Sequence, residues 1–66
     1  PKEYRYYIDE KYYTVEDYIG LMKEAIPKNY YYKLLIIGEG NKVIDQAPSA
    51  GTLVKEGGTV IIYLGS

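Results

Sequence analysis

The sequence contains no cysteine, histidine, tryptophan or phenylalanine. Without cysteine no disulfide can form, and a zinc site built from carboxylates alone would be unusual. The same absences remove the histidine bases and cysteine nucleophiles of most covalent catalysis. A chain of 66 residues has room for one thin core. We therefore expect one domain that folds without a metal or cofactor and is not an enzyme.

The chain also has no excess of positive charge and no long hydrophobic run. The chain has eight basic and nine acidic residues, which gives a net charge of -1. A nucleic-acid-binding protein, in contrast, needs a basic surface. The longest aliphatic run is residues 34–37, and a transmembrane helix needs about 20 residues. No signal-peptide pattern is visible either. The sequence predicts no nucleic-acid partner and no membrane insertion of this fragment.

Tyrosine is the abundant residue, with ten copies. Tyrosine favours strands and combines an apolar ring with a polar tip. Two interpretations follow: the rings cover a half-exposed sheet, or they line a recognition surface.

The pattern along the chain predicts a lead-in followed by a helix. Residues 1–13 form a Tyr-rich lead-in, either an ordered linker or a hairpin in which Tyr4, Tyr6 and Ile8 share one strand face. In residues 14–26, apolar side chains recur at helical spacing, and Gly20 falls inside the pattern. Thr14 is the expected N-cap, and Pro27 ends the helix.

The rest of the chain predicts strands and turns. Residues 30–37 are apolar on both sides, as expected for a central strand. A loop at residues 38–41, a short extended piece at Val43, a turn at residues 48–51 and a tight turn at Gly57 precede the last strand, residues 59–64. We predict an α+β fold over residues 14–66, with one short helix packed on a small, mainly antiparallel sheet.

Motifs for catalysis and phosphate binding are incomplete. Gly38 and Gly40 lack the third glycine of a dinucleotide loop, and no Gly-Lys-Ser/Thr follows them. Ser49 has no lysine three residues later, as the Ser-x-x-Lys enzymes require. The glycines are best explained as turn residues.

Residues 38–64 resemble the second half of a PASTA domain, the module of penicillin-binding proteins and serine/threonine kinases. The match rests on a spaced pattern of six residues, for which we expect structural roles in turns and core: Gln46, Pro48, Gly51, Val54, Gly57 and Val60. Residues 15–37 resemble the family less. Glu16 replaces the usual proline of the Val-Pro-Asp opening, and Tyr30-Tyr31 replaces the usual Gly-Leu.

The resemblance implies a non-catalytic, extracytoplasmic module of a membrane-anchored bacterial cell-wall protein. A penicillin-binding protein is favoured, and the sensor module of a serine/threonine kinase is the alternative. The implied partners are peptidoglycan fragments or stem peptides. A docking module that packs on its own catalytic domain or on a division partner is the other possibility. If wall fragments bind, the expected contacts are Glu39, Asn41 and Lys42 in the loop, with nearby Tyr31.

Overall fold

A computed structural model describes residues 11–65 of the chain and contains five strands within them. The strands are β1 (Tyr12–Thr14), β2 (Lys33–Ile37), β3 (Lys42–Ala47), β4 (Leu53–Lys55) and β5 (Thr59–Gly65). They form a three-stranded sheet in the order β2-β5-β3 and a two-stranded sheet of β1 and β4. The predicted small sheet is confirmed, and its pairing is mixed.

Strand β5 lies at the centre of the larger sheet. It runs parallel to β2 and antiparallel to β3. Its side chains alternate, so that Val60, Ile62 and Leu64 are buried on one face. Within residues 11–65, the strand predicted at residues 30–37 begins at Lys33 and lies at an edge of the sheet, which contradicts its predicted central position. Its two apolar faces are largely exposed rather than covered.

The smaller sheet joins β1, near the start of the described residues, to β4 in the later part of the chain. β1 pairs antiparallel with β4, with Tyr13 opposite Val54. Beyond the strands, the Val15 N–H donates to the Thr52 carbonyl at 2.8 Å, and the Gly51 N–H donates to the Val15 carbonyl at the same distance. The predicted strand at Tyr4 and its hairpin lie outside the described residues.

The predicted helix over residues 14–26 is wrong: the segment contains one 3-10 turn, Lys23–Ala25, and no α-helix. Gly20 adopts φ 92°, which is incompatible with a right-handed helix. The backbone groups of the segment instead bond to β3: the Gly20 N–H donates to the Val43 carbonyl, and the Val43 N–H donates to the Leu21 carbonyl. Val15 and Tyr18 are buried, while other members of the expected helix face, Ile19 and Met22, are exposed.

The turn at Gly57 exists, but it does not form a hairpin. β4 and β5 flank it without pairing with each other. The turn bonds instead to the chain that enters β2: the Gly57 N–H donates to the Tyr31 carbonyl at 2.8 Å, and the Lys33 N–H donates to the Gly58 carbonyl at 2.7 Å. The hairpin interpretation is therefore wrong, and the turn fixes the start of β2.

One core connects the sheet to the irregular segment before β2. Its buried apolar members are Val15, Tyr18, Tyr32, Val43, Val60, Ile62 and Leu64. Tyr18 and Tyr32 are its aromatic members and come from outside the strands. In the described part of the chain, no helix has the length and apolar character needed to cross a membrane.

Candidate functional site

A cleft lined with tyrosines lies at the N-terminal end of β2. Its volume is about 460 Å³, within the range of roughly 300–1,000 Å³ that is usual for ligand-binding clefts. Residues 28–34 form most of its lining, and Gly57 completes it from the turn before β5.

Asn29 shapes the chain around this cleft. Its side-chain oxygen accepts hydrogen bonds from the Tyr31 N–H at 2.7 Å and the Tyr32 N–H at 3.0 Å. This Asx-type arrangement turns the backbone within three residues. As a result, Tyr32 points into the core, whereas Tyr30 is 86% exposed and Tyr31 is 52% exposed.

Two further contacts fix Tyr31. Its ring stacks on Tyr13, with centroids 4.3 Å apart and an interplanar angle of 23°. Its carbonyl accepts the hydrogen bond from Gly57. A ligand that contacts this ring would therefore find it already ordered, at little entropic cost.

Beneath the cleft, two tyrosine hydroxyls form a buried pair. The Tyr18 and Tyr32 hydroxyl oxygens are 2.7 Å apart, and the Glu16 N–H donates to the Tyr32 hydroxyl at 3.3 Å. Burial, reinforced by the hydrogen bond to Tyr32, raises the pKa of Tyr18 well above its ordinary value. The Tyr18 hydroxyl therefore stays neutral at physiological pH and acts as a structural hydrogen-bonding group.

Gln46 joins the irregular segment to β3. Its side-chain oxygen accepts from the Tyr18 N–H at 2.7 Å. Its side-chain NH₂ donates to the Glu16 carbonyl at 2.9 Å and to the Pro48 carbonyl at 3.2 Å. One buried amide thus satisfies backbone groups in two separate stretches of chain.

The residues expected to bind ligand do not come together. Glu39, Asn41 and Lys42 lie beyond the other end of β2, and a five-residue strand separates the two sites by about 13 Å. All three are exposed. The Asn41 carbonyl accepts from the Lys23 N–H at 2.7 Å, and Lys42 begins β3. Of the four residues, only Tyr31 lines the cleft.

The other residues of the family pattern lie in turns and core. Pro48 is half-buried in the turn after β3, and Gly51 bonds to Val15. Val54 is half-buried against the core, and Val60 is fully buried. Gly57 is the exception, since it lines the cleft as well as forming a turn.

Sequence reasoning missed most of the cleft lining, including Lys28, Asn29, Tyr30 and Lys33. A signal was present, because an asparagine that follows Pro27-Lys28 and precedes a tyrosine run is typical of an Asx turn. The lining combines two exposed tyrosines with two lysines, which suits a ligand with apolar faces and carboxylates. Among residues 11–65, no group of three or more Asp and Glu side chains could hold a metal ion.

Comparison with known proteins yields no significant match to a curated protein or to a solved structure. The family model of the PASTA domain matches residues 13–66, which is most of the chain. PASTA domains are non-catalytic modules that generally bind peptidoglycan-type ligands or signal in penicillin-binding proteins and kinases, typically outside the cell. The match confirms the resemblance found in residues 38–64, and the chain belongs to the PASTA family.

Proposed function

We propose that this PASTA domain is an extracytoplasmic module of a cell-wall synthesis protein and binds peptidoglycan fragments in the tyrosine cleft. The observation that carries the proposal is a pair of exposed tyrosines, Tyr30 and Tyr31, flanked by Lys28 and Lys33 in one cleft. The role is that of a binding module, with any catalysis performed by another domain of the parent protein.

The cleft chemistry matches the chemistry of a wall fragment. Sugar rings have apolar faces that can lie on Tyr30 and Tyr31. Stem peptides end in carboxylates, for which Lys28 and Lys33 supply charge-assisted donors. The ordered Tyr31 ring and the Asn29 turn reduce the entropy lost on binding.

The parent that we propose is a membrane-anchored penicillin-binding protein, with the sensor module of a serine/threonine kinase as the alternative. Either would use the same cleft. A Ser-x-x-Lys transpeptidase domain in the same polypeptide would identify the former, and a kinase domain the latter.

Docking on the parent's own catalytic domain or on a division partner is a second candidate, favoured by one observation. The face of the larger sheet opposite the core carries exposed Leu35, Ile37 and Ile44. Half-buried Ile61 and Tyr63 lie on the same face. Exposed apolar side chains grouped on one face in this way are typical of protein-binding sites.

Titration of the labelled domain with a soluble muropeptide, followed by NMR chemical shifts, tests the first proposal. We expect shifts concentrated on residues 28–34 and on Gly57. Tyr30→Ala should weaken binding by about three- to tenfold, because it removes one stacking surface. Lys33→Ala should weaken it by a similar factor and make binding less sensitive to salt.

Lys42→Ala is the matched control for Lys33→Ala, since it removes the same charge at the other end of β2. If Lys42→Ala weakens binding and Lys33→Ala does not, the loop with Glu39 and Asn41 is the site. A spectrum that stays unchanged at millimolar muropeptide contradicts wall binding and favours the docking role.

A further inference from the structure

The buried hydroxyl pair beneath the cleft has no part in the binding role proposed above. Tyr18 is 1% exposed, so a ligand in the cleft cannot touch its side chain, and Tyr32 is 3% exposed. Burial of two hydroxyls costs free energy that two phenylalanines in the same places would avoid. This cost in so thin a core indicates a role beyond packing.

Tyr18 is held in place by the larger sheet. Its N–H donates to the side-chain oxygen of Gln46, a residue of β3, at 2.7 Å. Two residues further on, the Gly20 N–H donates to the carbonyl of Val43, also in β3, at 2.9 Å. The Tyr18 side chain belongs to the buried core. The position of its hydroxyl is therefore set by the sheet and the core.

The turn that forms the cleft meets this hydroxyl at both of its ends. The turn ends at Tyr32, whose hydroxyl lies 2.7 Å from that of Tyr18 and whose N–H donates to the Asn29 side-chain oxygen. The turn begins at Asn29, and the pKa of Tyr18 reflects both residues. Burial raises this pKa most, the hydrogen bond with Tyr32 raises it further, and a hydrogen bond with the Asn29 side chain lowers it. The Tyr18 hydroxyl thus connects the turn to the core.

Two other contacts of the turn are made nearer to solvent. The Tyr31 carbonyl accepts from the Gly57 N–H, and the Tyr31 ring stacks on Tyr13. Tyr31 is 52% exposed, so water competes with these contacts. The hydroxyl pair is buried, and hydrogen bonds are stronger where water is excluded.

We propose that Tyr18 is a positioning residue for the tyrosine cleft, and that its hydroxyl, through the Tyr32 hydroxyl, holds the turn at residues 29–32 in the conformation that binds ligand. The inference rests on the binding role proposed above, but the position of the turn can be measured without ligand. A preformed site loses less entropy on binding. Loss of the Tyr18 hydroxyl should therefore lower the affinity for ligand, although no ligand touches it.

Tyr18→Phe tests the proposal, because it removes one oxygen atom and keeps the ring. In the ligand-free chain, the Tyr31 and Tyr32 amides donate to Asn29. We expect both amides to exchange faster with solvent in Tyr18→Phe, by a larger factor than the amide of Ile62 in β5. In the muropeptide titration, the affinity should fall about three- to tenfold, the equivalent of one net hydrogen bond.

Leu64→Val is the matched control. Leu64 is 6% exposed and lies at the end of β5 that is distant from the cleft. Loss of one methylene group from the core should lower stability about as much as loss of one hydroxyl contact, while the hydroxyl pair stays intact. Circular dichroism checks that both variants are folded under the conditions of the titration. Leu64→Val should then bind muropeptide as tightly as the unaltered chain.

The proposal is overturned if Tyr18→Phe leaves either the exchange of the Tyr31 and Tyr32 amides or the affinity unchanged. Equal weakening of binding by Tyr18→Phe and Leu64→Val would also overturn it, since general loosening of the core would then explain the loss. If the unaltered chain does not bind muropeptide, the proposed function fails, and the ligand-free exchange alone decides whether Tyr18 positions the turn. If Tyr18→Phe does not fold, Tyr32→Phe removes the other hydroxyl of the pair and is judged by the same measurements.

Discussion

The two halves of this domain reach their structure by different means. Residues 33–65 form four of the five described strands, joined by short turns with glycine or proline. Residues 15–32 contain only the 3-10 turn Lys23–Ala25, yet they contribute three buried core residues, Val15, Tyr18 and Tyr32. The second half is specified by local pattern, and the first half by its contacts with the second.

Besides backbone hydrogen bonds to β3 and to residues 51–52, two side chains order the first half. Gln46 bonds to the backbone of residues 16 and 18, and Asn29 bonds to Tyr31 and Tyr32. The cleft is built on the second of these contacts. Changes that break strand turns should therefore unfold the whole domain, whereas changes to the contacts should loosen the first half preferentially.

The largest effect is expected at Gly40, in the loop between β2 and β3. Gly40 has φ 138°, and a Cβ there would collide with the backbone carbonyl of Gly65. The backbone at Gly40 and the backbone at Gly65 cannot shift apart without a large cost in free energy. Gly40→Ala should therefore lower the free energy of unfolding by about 3 kcal/mol or more. Urea denaturation followed by circular dichroism measures the loss.

Gly57→Ala is the matched control for this strain. Gly57 also has positive φ, at 83°, but no atom lies within 4 Å of its would-be Cβ. The backbone cost alone should be about 1–2 kcal/mol. If the two variants lose equal stability, the close approach of Gly40 to Gly65 is not the dominant cost.

The second half of the fold was predictable from sequence because its signals are local. A continuous apolar run in residues 60–64, with glycine or proline at each turn, identifies the last strand and the connections without knowledge of the rest. Pairing was less predictable. Locally, the Gly57 turn resembles a hairpin turn. It does not join a hairpin because β2 and β3 pair with the two edges of β5 and leave none for β4.

The first half and the cleft were less predictable because their structure depends on contacts that local sequence patterns do not reveal. The spacing of Val15, Tyr18 and Met22 fits a helix, but nothing local reveals that Val43 and Gln46 offer this segment better hydrogen-bond partners. Of the four residues predicted to contact ligand, Tyr31 lies in the cleft, and its neighbours there were not predicted. The prediction at Glu39 rests on the charges of its loop, whereas the cleft depends on how the chain folds at Asn29.

Gln46→Met should have the second largest effect and should act on the first half. The side chain keeps its size, but the Tyr18 N–H and the Glu16 carbonyl lose buried partners. Leaving such groups unpaired should cost about 2–3 kcal/mol. Amide exchange should accelerate at Tyr18 more than at Ile62 of β5.

Asp17→Ala provides the control, because it removes an exposed hydrogen bond from the same segment. The Asp17 carboxylate accepts from the Ile19 N–H at 3.1 Å. Its loss should cost about 0.5 kcal/mol. Uniform acceleration of exchange across both halves in Gln46→Met would contradict the view that this amide secures the first half in particular.

Of Gly40→Ala, Gln46→Met and Tyr18→Phe, the last is expected to have the smallest effect at neutral pH, about 1 kcal/mol for the lost hydroxyl contact with Tyr32. Its larger consequence is in alkali. Burial raises the pKa of Tyr18 in the folded domain, while the unfolded chain releases the same proton near pH 10. The stabilisation from the neutral hydroxyl is therefore complete below about pH 10 and is lost as the pH rises above it, by about 1.4 kcal/mol per pH unit.

Urea denaturation between pH 8 and about pH 11 measures this loss. The free energy of unfolding should decline less steeply with pH for Tyr18→Phe than for the unaltered chain. Tyr30→Phe is the matched control, because it removes a hydroxyl from a tyrosine that is 86% exposed. A Tyr18→Phe decline parallel to that of the unaltered chain would show that burial does not raise the pKa of the Tyr18 hydroxyl in the folded domain.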